Sequence, residues 1–377
     1  MNSDTSYYGE LPKLSRSNNM GAVRYYLALA VVVAHFSTVM GVDIPWPTSS
    51  YNAVGGFFAL SGFLVYGSYL RAGSLRAYVA RRARRILPPY LFIVLLCAFL
   101  LAALSSLSPA EYFSSPQWWR YLLANLTFMN FLGPDLPGVF TDHVSTAVNG
   151  SLWTIKVEWM LYLSVPLVAL LIRRLRRPAL LTFAAIYIFS MLYRLGFLYL
   201  YETRGSEIWN ILSRQVFGQL MYFYTGVAIY FRLAAFMRYR WQLLAAALLL
   251  TLLGDYIPCY DYTLGPIAVS ILVLRFSLAG TDASLGIGAA DACSSPASRL
   301  SSFFQCFNTD NISYDIYLVH LPVIQVVACF APGILSLFGL NASGAAGLCA
   351  LFILSFVAIL ILASISWFLI GKRWLKR

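Results

Sequence analysis

Apolar residues run along this chain in long blocks, separated by short polar stretches. Blocks of roughly 18–25 apolar residues are long enough to span a bilayer. Ten such blocks occur, at roughly 22–41, 52–70, 87–107, 152–172, 179–200, 212–232, 241–258, 262–279, 313–332 and 346–370. The pattern predicts an all-α, polytopic integral membrane protein of about ten transmembrane helices. Residues 1–20 read as a tail, 21–371 as the transmembrane domain and 372–377 as a basic end. Two connections are long. Residues 108–151 hold "WWRYLLANLTFMNF", too short and polar to span but rich in interfacial aromatics, and then the turn region "GPDLPGVF". A re-entrant or surface-lying lid fits this stretch, and so does an inert interfacial helix. Residues 280–311, rich in Ser, Ala and Gly, read as a flexible connector.

Charge orients the helices. Only 11% of residues are charged and 60% are hydrophobic, against about 25% charged in a soluble domain. With the N-terminus inside, the inner segments collect most of the cations. They hold Lys13, Arg16 and Arg24, the cluster from Arg71 to Arg85, Arg173 to Arg177, Arg232 to Arg240, Arg275, Arg299 and the final Lys372, Arg373, Lys376 and Arg377. The outer loops hold Asp43, Glu111, Asp135, Asp142, Glu202, Glu207, Asp255 and Asp261. The positive-inside rule therefore predicts both termini in the cytosol, and it accounts for the net charge of +12. Because the cations are spread over every inner loop, nucleic-acid binding is excluded as the reading of that charge. The polar start "MNSDTSYYGELPKLSRSNN" has no apolar run, so the first helix is expected to be retained. The cysteines (97, 259, 293, 306, 329, 349) form no CxxC or Cys/His cluster, so they read as packing residues and no metal site is expected. Sequons at Asn125, Asn149, Asn311 and Asn341 carry little weight, since such short motifs arise by chance.

Ionisable groups inside a membrane helix are costly and usually face a cavity or a partner. In "RYYLALAVVVAH", Arg24 and His35 are eleven residues apart, three helical turns plus about 20°. They share one stripe, ~16 Å apart along the axis. His35 lies about a turn from the outer end of its helix. Glu158, in "NGSLWTIKVEWMLY", falls at a similar depth, with Tyr162 one turn on along the same face. A His35–Glu158 pair would be either a general base with its orienting carboxylate or a structural tie between helices. "YVARRARRILPPY" places four arginines ahead of the third apolar run. They read as a topology signal or as a phosphate site at a helix start. "GGFFALSGFLVYG" offers Gly55, Gly56, Ala59, Ser61 and Gly62 for close helix packing or for a cavity wall. "ISYDIYLVHLP" adds Tyr314, Asp315, Tyr317 and His320, a second polar wall or a helix–helix hydrogen bond. On these residues alone a transporter of a small organic anion also fits.

Taken in order, Arg24-x10-His35, "FFALSGFLVYG", "RRARRILPPY", "NGSLWTIKVEWMLY" and "YDIYLVH" resemble the acyltransferase-3 membrane family, over about residues 20–370. That family includes bacterial O-antigen and exopolysaccharide O-acetyltransferases. The resemblance implies a multi-pass enzyme of the bacterial inner (plasma) membrane. It would move an acyl group, usually acetyl, from cytosolic acetyl-CoA or another acyl-CoA to a hydroxyl of a cell-surface or lipid-linked polysaccharide. It implies catalysis by His35 and Glu158, and CoA phosphates held by Arg24, Arg81, Arg82 and Arg85. Ser61, Tyr162, Trp153, Tyr314 and His320 become candidate walls of a pore admitting a thin pantetheine chain, or oxyanion donors. No metal is implied. Two departures stand out. "FLIGKRW" has Gly371 where many members carry a Glu, and the chain stops at Arg377, so no soluble hydrolase-like domain is expected after the last helix. The anion transporter remains the rival. Its signature of Gly/Pro-broken helices in matching halves is not seen in the sequence.

Overall fold

The computed structural model describes residues 18–175, 178–279, 312–341 and 344–375. The tail to residue 17 with Lys13 and Arg16, the connector 280–311 with Cys293, Cys306, Arg299 and Asn311, and Arg176, Arg177, Lys376 and Arg377 lie outside the described residues. Among the described residues there are helices and no strand. The α-helices are α1 Met20–Met40, α2 Ser50–Leu70, α3 Leu75–Leu100, α4 Pro109–Ser114, α5 Pro116–Leu126, α6 Trp153–Leu175, α7 Ala179–Arg204, α8 Glu207–Ser213, α9 Val216–Phe231, α10 Leu233–Arg238, α11 Arg240–Leu252, α12 Gly265–Ser277, α13 Ser313–Leu337, α14 Ala345–Ser366 and α15 Lys372–Leu375.

Among the described residues, seven helices are long and apolar enough to cross a membrane: α1, α2, α3, α6, α7, α13 and α14. The other three expected spans form shorter helices, α9 with 16 residues and α11 and α12 with 13 each. The apolar runs are longer than the helices they make. Gln215 is extended ahead of α9, and Gly254 opens a 3-10 turn just after α11, with Pro258 following. At ~1.5 Å per residue, 13 residues reach only ~20 Å, short of the ~30 Å hydrocarbon core. The third helix differs in the opposite sense. Its expected start was residue 87, but α3 begins at Leu75 and runs through Pro88 and Pro89.

The chain divides into two compact units. The first comprises residues 1–27, 51–80 and 157–311, the second residues 28–50, 81–156 and 312–377. In the first unit α7 packs on α9, α11 on α12 and α9 on α12. α2 and α9 approach backbone to backbone. A Cβ placed on Gly62 would lie 1.9 Å from the Phe223 carbonyl oxygen, and one on Gly226 would lie 2.0 Å from that of Ala59. Gly55 makes room for the Tyr222 ring in the same way. The glycines of the second helix therefore serve packing, as small residues do in lipid.

In the second unit α13 packs on α14. The excursion between α3 and α6 is tied down rather than loose. Tyr112 Oη and Trp118 Nε1 both donate to the Ala98 carbonyl, at 3.0 and 2.9 Å. Asn125 Nδ2 donates to the carbonyls of Tyr121 and Gly133, and Tyr90 Oη donates to the Asn125 carbonyl at 2.6 Å. Ser108 and Glu111 form a capping box at the start of α4. Hydrogen bonds from Ser108 hold the exposed Glu111 carboxyl below its ordinary pKa. His143 Nδ1 lies 2.8 Å from Gln325 Oε1, and the Gln325 amide donates to the Ala147 carbonyl at 2.6 Å, fixing the excursion to α13.

Two prolines inside helices explain two distant hydrogen bonds. Proline has no N–H, so the carbonyl four residues before it loses its helical donor. Pro166 in α6 deprives Tyr162, and Tyr78 Oη donates to that carbonyl at 2.8 Å. Pro322 in α13 deprives Leu318, and Asn149 Nδ2 donates to that carbonyl at 2.8 Å. Tyr78→Phe should therefore cost about 1–3 kcal/mol, because it leaves a buried acceptor unmade. Adding Pro166→Ala restores the helical donor and should recover most of that loss. Thermal unfolding of the two variants in nanodiscs checks this, and equal Tm values for the single and double variants would refute it.

Candidate functional site

α1 is unbroken from Met20 to Met40, so Arg24 and His35 do lie on one stripe. Both are half-buried. In the second unit His35 meets His320 of α13, which is fully buried. His320 Nε2 lies 3.2 Å from His35 Nδ1, and the ring centroids are 4.9 Å apart. Two backbone carbonyls then assign the protons. Tyr317 O is 2.7 Å from His320 Nδ1, and Val31 O is 2.9 Å from His35 Nδ1. A carbonyl only accepts, so each Nδ1 carries hydrogen in the neutral rings. His320 Nε2 is then bare and accepts from His35 Nδ1–H. This leaves the lone pair of His35 on Nε2, the atom that can take a proton.

The fourth-helix motif supports this pair through α13. Asn149 caps the Leu318 carbonyl, and Ser151 Oγ donates to Asn149 Oδ1 at 2.6 Å. Thr154 Oγ1 donates to Tyr317 Oη at 2.9 Å, and the Tyr317 ring lies tilted at 56° to that of His320, with centroids 5.5 Å apart. Trp153 opens α6 half-buried. Tyr314 Oη donates to the Ile86 carbonyl at 3.2 Å. Asp315 is buried, accepts from Ser366 Oγ at 2.5 Å and feels the charge of Arg85. Ser366 ends α14 five residues before Gly371, and a Cβ on Gly371 would lie 2.9 Å from the Trp367 ring. A side chain there would displace that tryptophan.

Glu158 lies in the first unit with different partners. Tyr162 Oη and Ser61 Oγ both donate to Glu158 Oε1, the latter at 3.3 Å, and the two hydroxyls are 3.4 Å apart. Within the second unit the groups at His35 Nδ1 are the Val31 carbonyl and His320. Ser61 and Tyr162, expected as pore or oxyanion groups, are hydrogen-bonded to a carboxylate. The partnership of Glu158 with Tyr162 follows from their i, i+4 spacing. That of His35 with His320 could not be read, because nothing in a single sequence pairs α1 with α13.

The arginines are placed differently from expectation. They were expected to precede the third helix, where free N–H groups attract anions. α3 starts at Leu75, so Arg81, Arg82 and Arg85 sit in its second and third turns, beyond those groups. At 100° per residue they fall within ~100° of one another, on one face. Arg81 is exposed, while Arg82 and Arg85 are half-buried. Pro88 and Pro89 deprive the Arg84 and Arg85 carbonyls of helical donors. An anion here would be held by side chains alone.

The comparisons agree with one another. The acyltransferase-3 family model, described as an acyltransferase domain, matches residues 18–370. An O-acetyl transferase of Shigella phage Sf6 is 29% identical over 157 residues, 40% of this chain and 45% of that relative, so the match spans less than half of its length. Nodulation protein 10 of Rhizobium leguminosarum bv. viciae is 23% identical over 390 residues, 95% of this chain and 93% of the relative. No solved structure matches. With a match across nearly all of its length, the chain belongs to the acyltransferase-3 family.

Proposed function

We propose that the protein is an O-acyltransferase of the bacterial inner membrane. It transfers an acyl group, usually acetyl, from cytosolic acyl-CoA to a hydroxyl of a cell-surface or lipid-linked polysaccharide. The observation that carries this reading is His35, whose Nδ1 is engaged and whose Nε2 is left as the proton acceptor. The charge distribution supports cytosolic termini, and ten crossings would need α9, α11 and α12 to cross together with the residues that flank them.

In the proposed reaction His35 Nε2 takes the proton of the sugar hydroxyl as its oxygen attacks the thioester carbonyl. The carbon–sulfur bond breaks, and the imidazolium returns its proton to the leaving CoA thiolate. When Nε2 is protonated the ring gains charge, and the Nδ1–H bonds to Val31 O and His320 Nε2 strengthen. Those bonds therefore favour the transition state over the ground state. Arg24 on the same stripe and Arg81, Arg82 and Arg85 on α3 are the proposed phosphate ligands, and extended pantetheine is long enough for the ~16 Å between Arg24 and His35. The test uses the protein in nanodiscs with acetyl-CoA and polysaccharide, following CoA release and the glycan mass. CoA release with a one-acetyl mass gain is expected. Anion uptake into proteoliposomes without CoA consumption would establish the transporter instead.

Arg85→Lys tests the donor site. Lysine keeps the inner positive charge but loses the forked donors. A charge-assisted bond contributes about 1.5–3 kcal/mol, so the KM for acyl-CoA should rise about ten- to a hundredfold with kcat less affected. An unchanged KM would reduce these arginines to topology signals.

A further inference from the structure

Arg194 lies in the interior of α7 and is 3% exposed. Its Nε and Nη1 are buried without a hydrogen-bond partner. Its Cζ stands over the rings of Tyr51 and Tyr262, 4.3 and 4.7 Å from their centroids. Tyr51 and Tyr222 pack edge to face at 6.1 Å, and the hydroxyls of both are also buried and unpartnered. The exposed Asp261, in the turn ahead of α12, acts on Arg194 through its field, opposed by the like charge of Arg214. All these residues belong to the first unit.

A buried guanidinium inside a membrane helix is costly and is retained when it meets a partner or a substrate. Aromatic rings satisfy its faces but not its N–H groups, which point in the plane. Here two guanidinium nitrogens, Nε and Nη1, and two phenol hydroxyls lack acceptors in one cluster. The acceptor chemistry that answers all of them is a planar or tetrahedral oxyanion, which takes forked bonds from Arg and single bonds from each phenol. We propose that Arg194, Tyr51 and Tyr222 bind a carboxylate or phosphate group carried by the sugar acceptor. The assignment to the acceptor rests on the acyl-transfer reading. In that topology Tyr51 at the start of α2, Tyr222 in the second turn of α9 and Tyr262 before α12 all lie toward the outer side.

The full chain in nanodiscs is titrated with glucuronate, glucose 1-phosphate and glucose, and binding is read by thermal shift. Both anions, or one of them, should bind and glucose should not. The stronger response names the source, a uronic acid carboxylate or a sugar phosphate. Arg194→Met should weaken anion binding about ten- to a hundredfold. It should also raise the ligand-free Tm, since it removes an uncompensated buried charge. Should that variant fail to insert, Tyr222→Phe deletes one hydroxyl from a wholly buried ring and should weaken binding about tenfold. Equal responses to glucose and the anions, or anion binding unchanged in Arg194→Met or Tyr222→Phe, would overturn the proposal. A Tm that falls with unchanged binding would make Arg194 a structural residue. Acyl transfer to a neutral acceptor separates the two readings. If it persists in Arg194→Met without anion binding by the wild type, the enzyme reading stands and the anion site fails. If the wild type binds anions but never releases CoA, the reverse holds.

Discussion

Replacing His35 by alanine is expected to lower kcat for acyl transfer by about 10²–10⁴-fold, the usual contribution of a positioned general base. The fold should survive. α1 carries its apolar core face on Leu27, Ala28, Val31, Val32 and Phe36, which the change leaves in place. His320 acts through His35, so His320→Ala should lose rate by a smaller factor. The double variant should be no slower than His35→Ala alone, because residues that act as a unit are not additive. Glu158→Gln should also lose activity, through the hydroxyls that Glu158 gathers, and by a factor that multiplies with the others. Single-turnover rates in nanodiscs measure all four. Near-normal turnover in His35→Ala would leave the histidine pair as a structural tie.

Gly62→Val should deplete the folded protein more than any other single change considered. The added carbon would meet a main-chain oxygen at 1.9 Å, and neither partner has a side-chain rotation with which to yield. α2 and α9 must separate, and Gly226 faces Ala59 with the same constraint. Overpacking of this kind costs about 1–3 kcal/mol where side chains can adjust, and more where they cannot. Serine at Gly73, where a Cβ meets nothing within 4 Å, is the control. Yield of monodisperse protein and Tm distinguish the two, and equal behaviour would mean that the α2–α9 contact is looser than described.

Much of this was legible because helix geometry is local. The Arg24–His35 stripe needs only a regular helix, and the Glu158–Tyr162 bond only a spacing of four. Partners that come from distant segments were not legible. "NGSLWTIKVEWMLY" was expected to act through Trp153 and Glu158, whereas Asn149, Ser151 and Thr154 do the positioning by holding α13. The signal for Asn149 was the proline at 322, four residues after a carbonyl that then needs a donor. The third helix was set too late because its apolar run begins only after the arginines, whereas the helical backbone starts at Leu75 and continues through Pro88 and Pro89. The three short helices were overestimated because hydropathy counts apolar residues without asking where Gly254 and Pro258 turn the chain.

The donors that answer Pro166 and Pro322 share a direction along the chain. Tyr78 comes before Pro166 and Asn149 before Pro322, so each donor has been synthesised when its proline emerges. As the chain is made from its N-terminus, α6 and α13 each arrive with a vacancy that only an earlier segment can fill. Membrane insertion of these helices is thus coupled to the prior arrival of α3 and of the loop carrying Asn149. Chain order itself becomes a checkpoint: a permuted protein that presents α13 before Asn149 would insert a helix with an unanswered carbonyl in lipid.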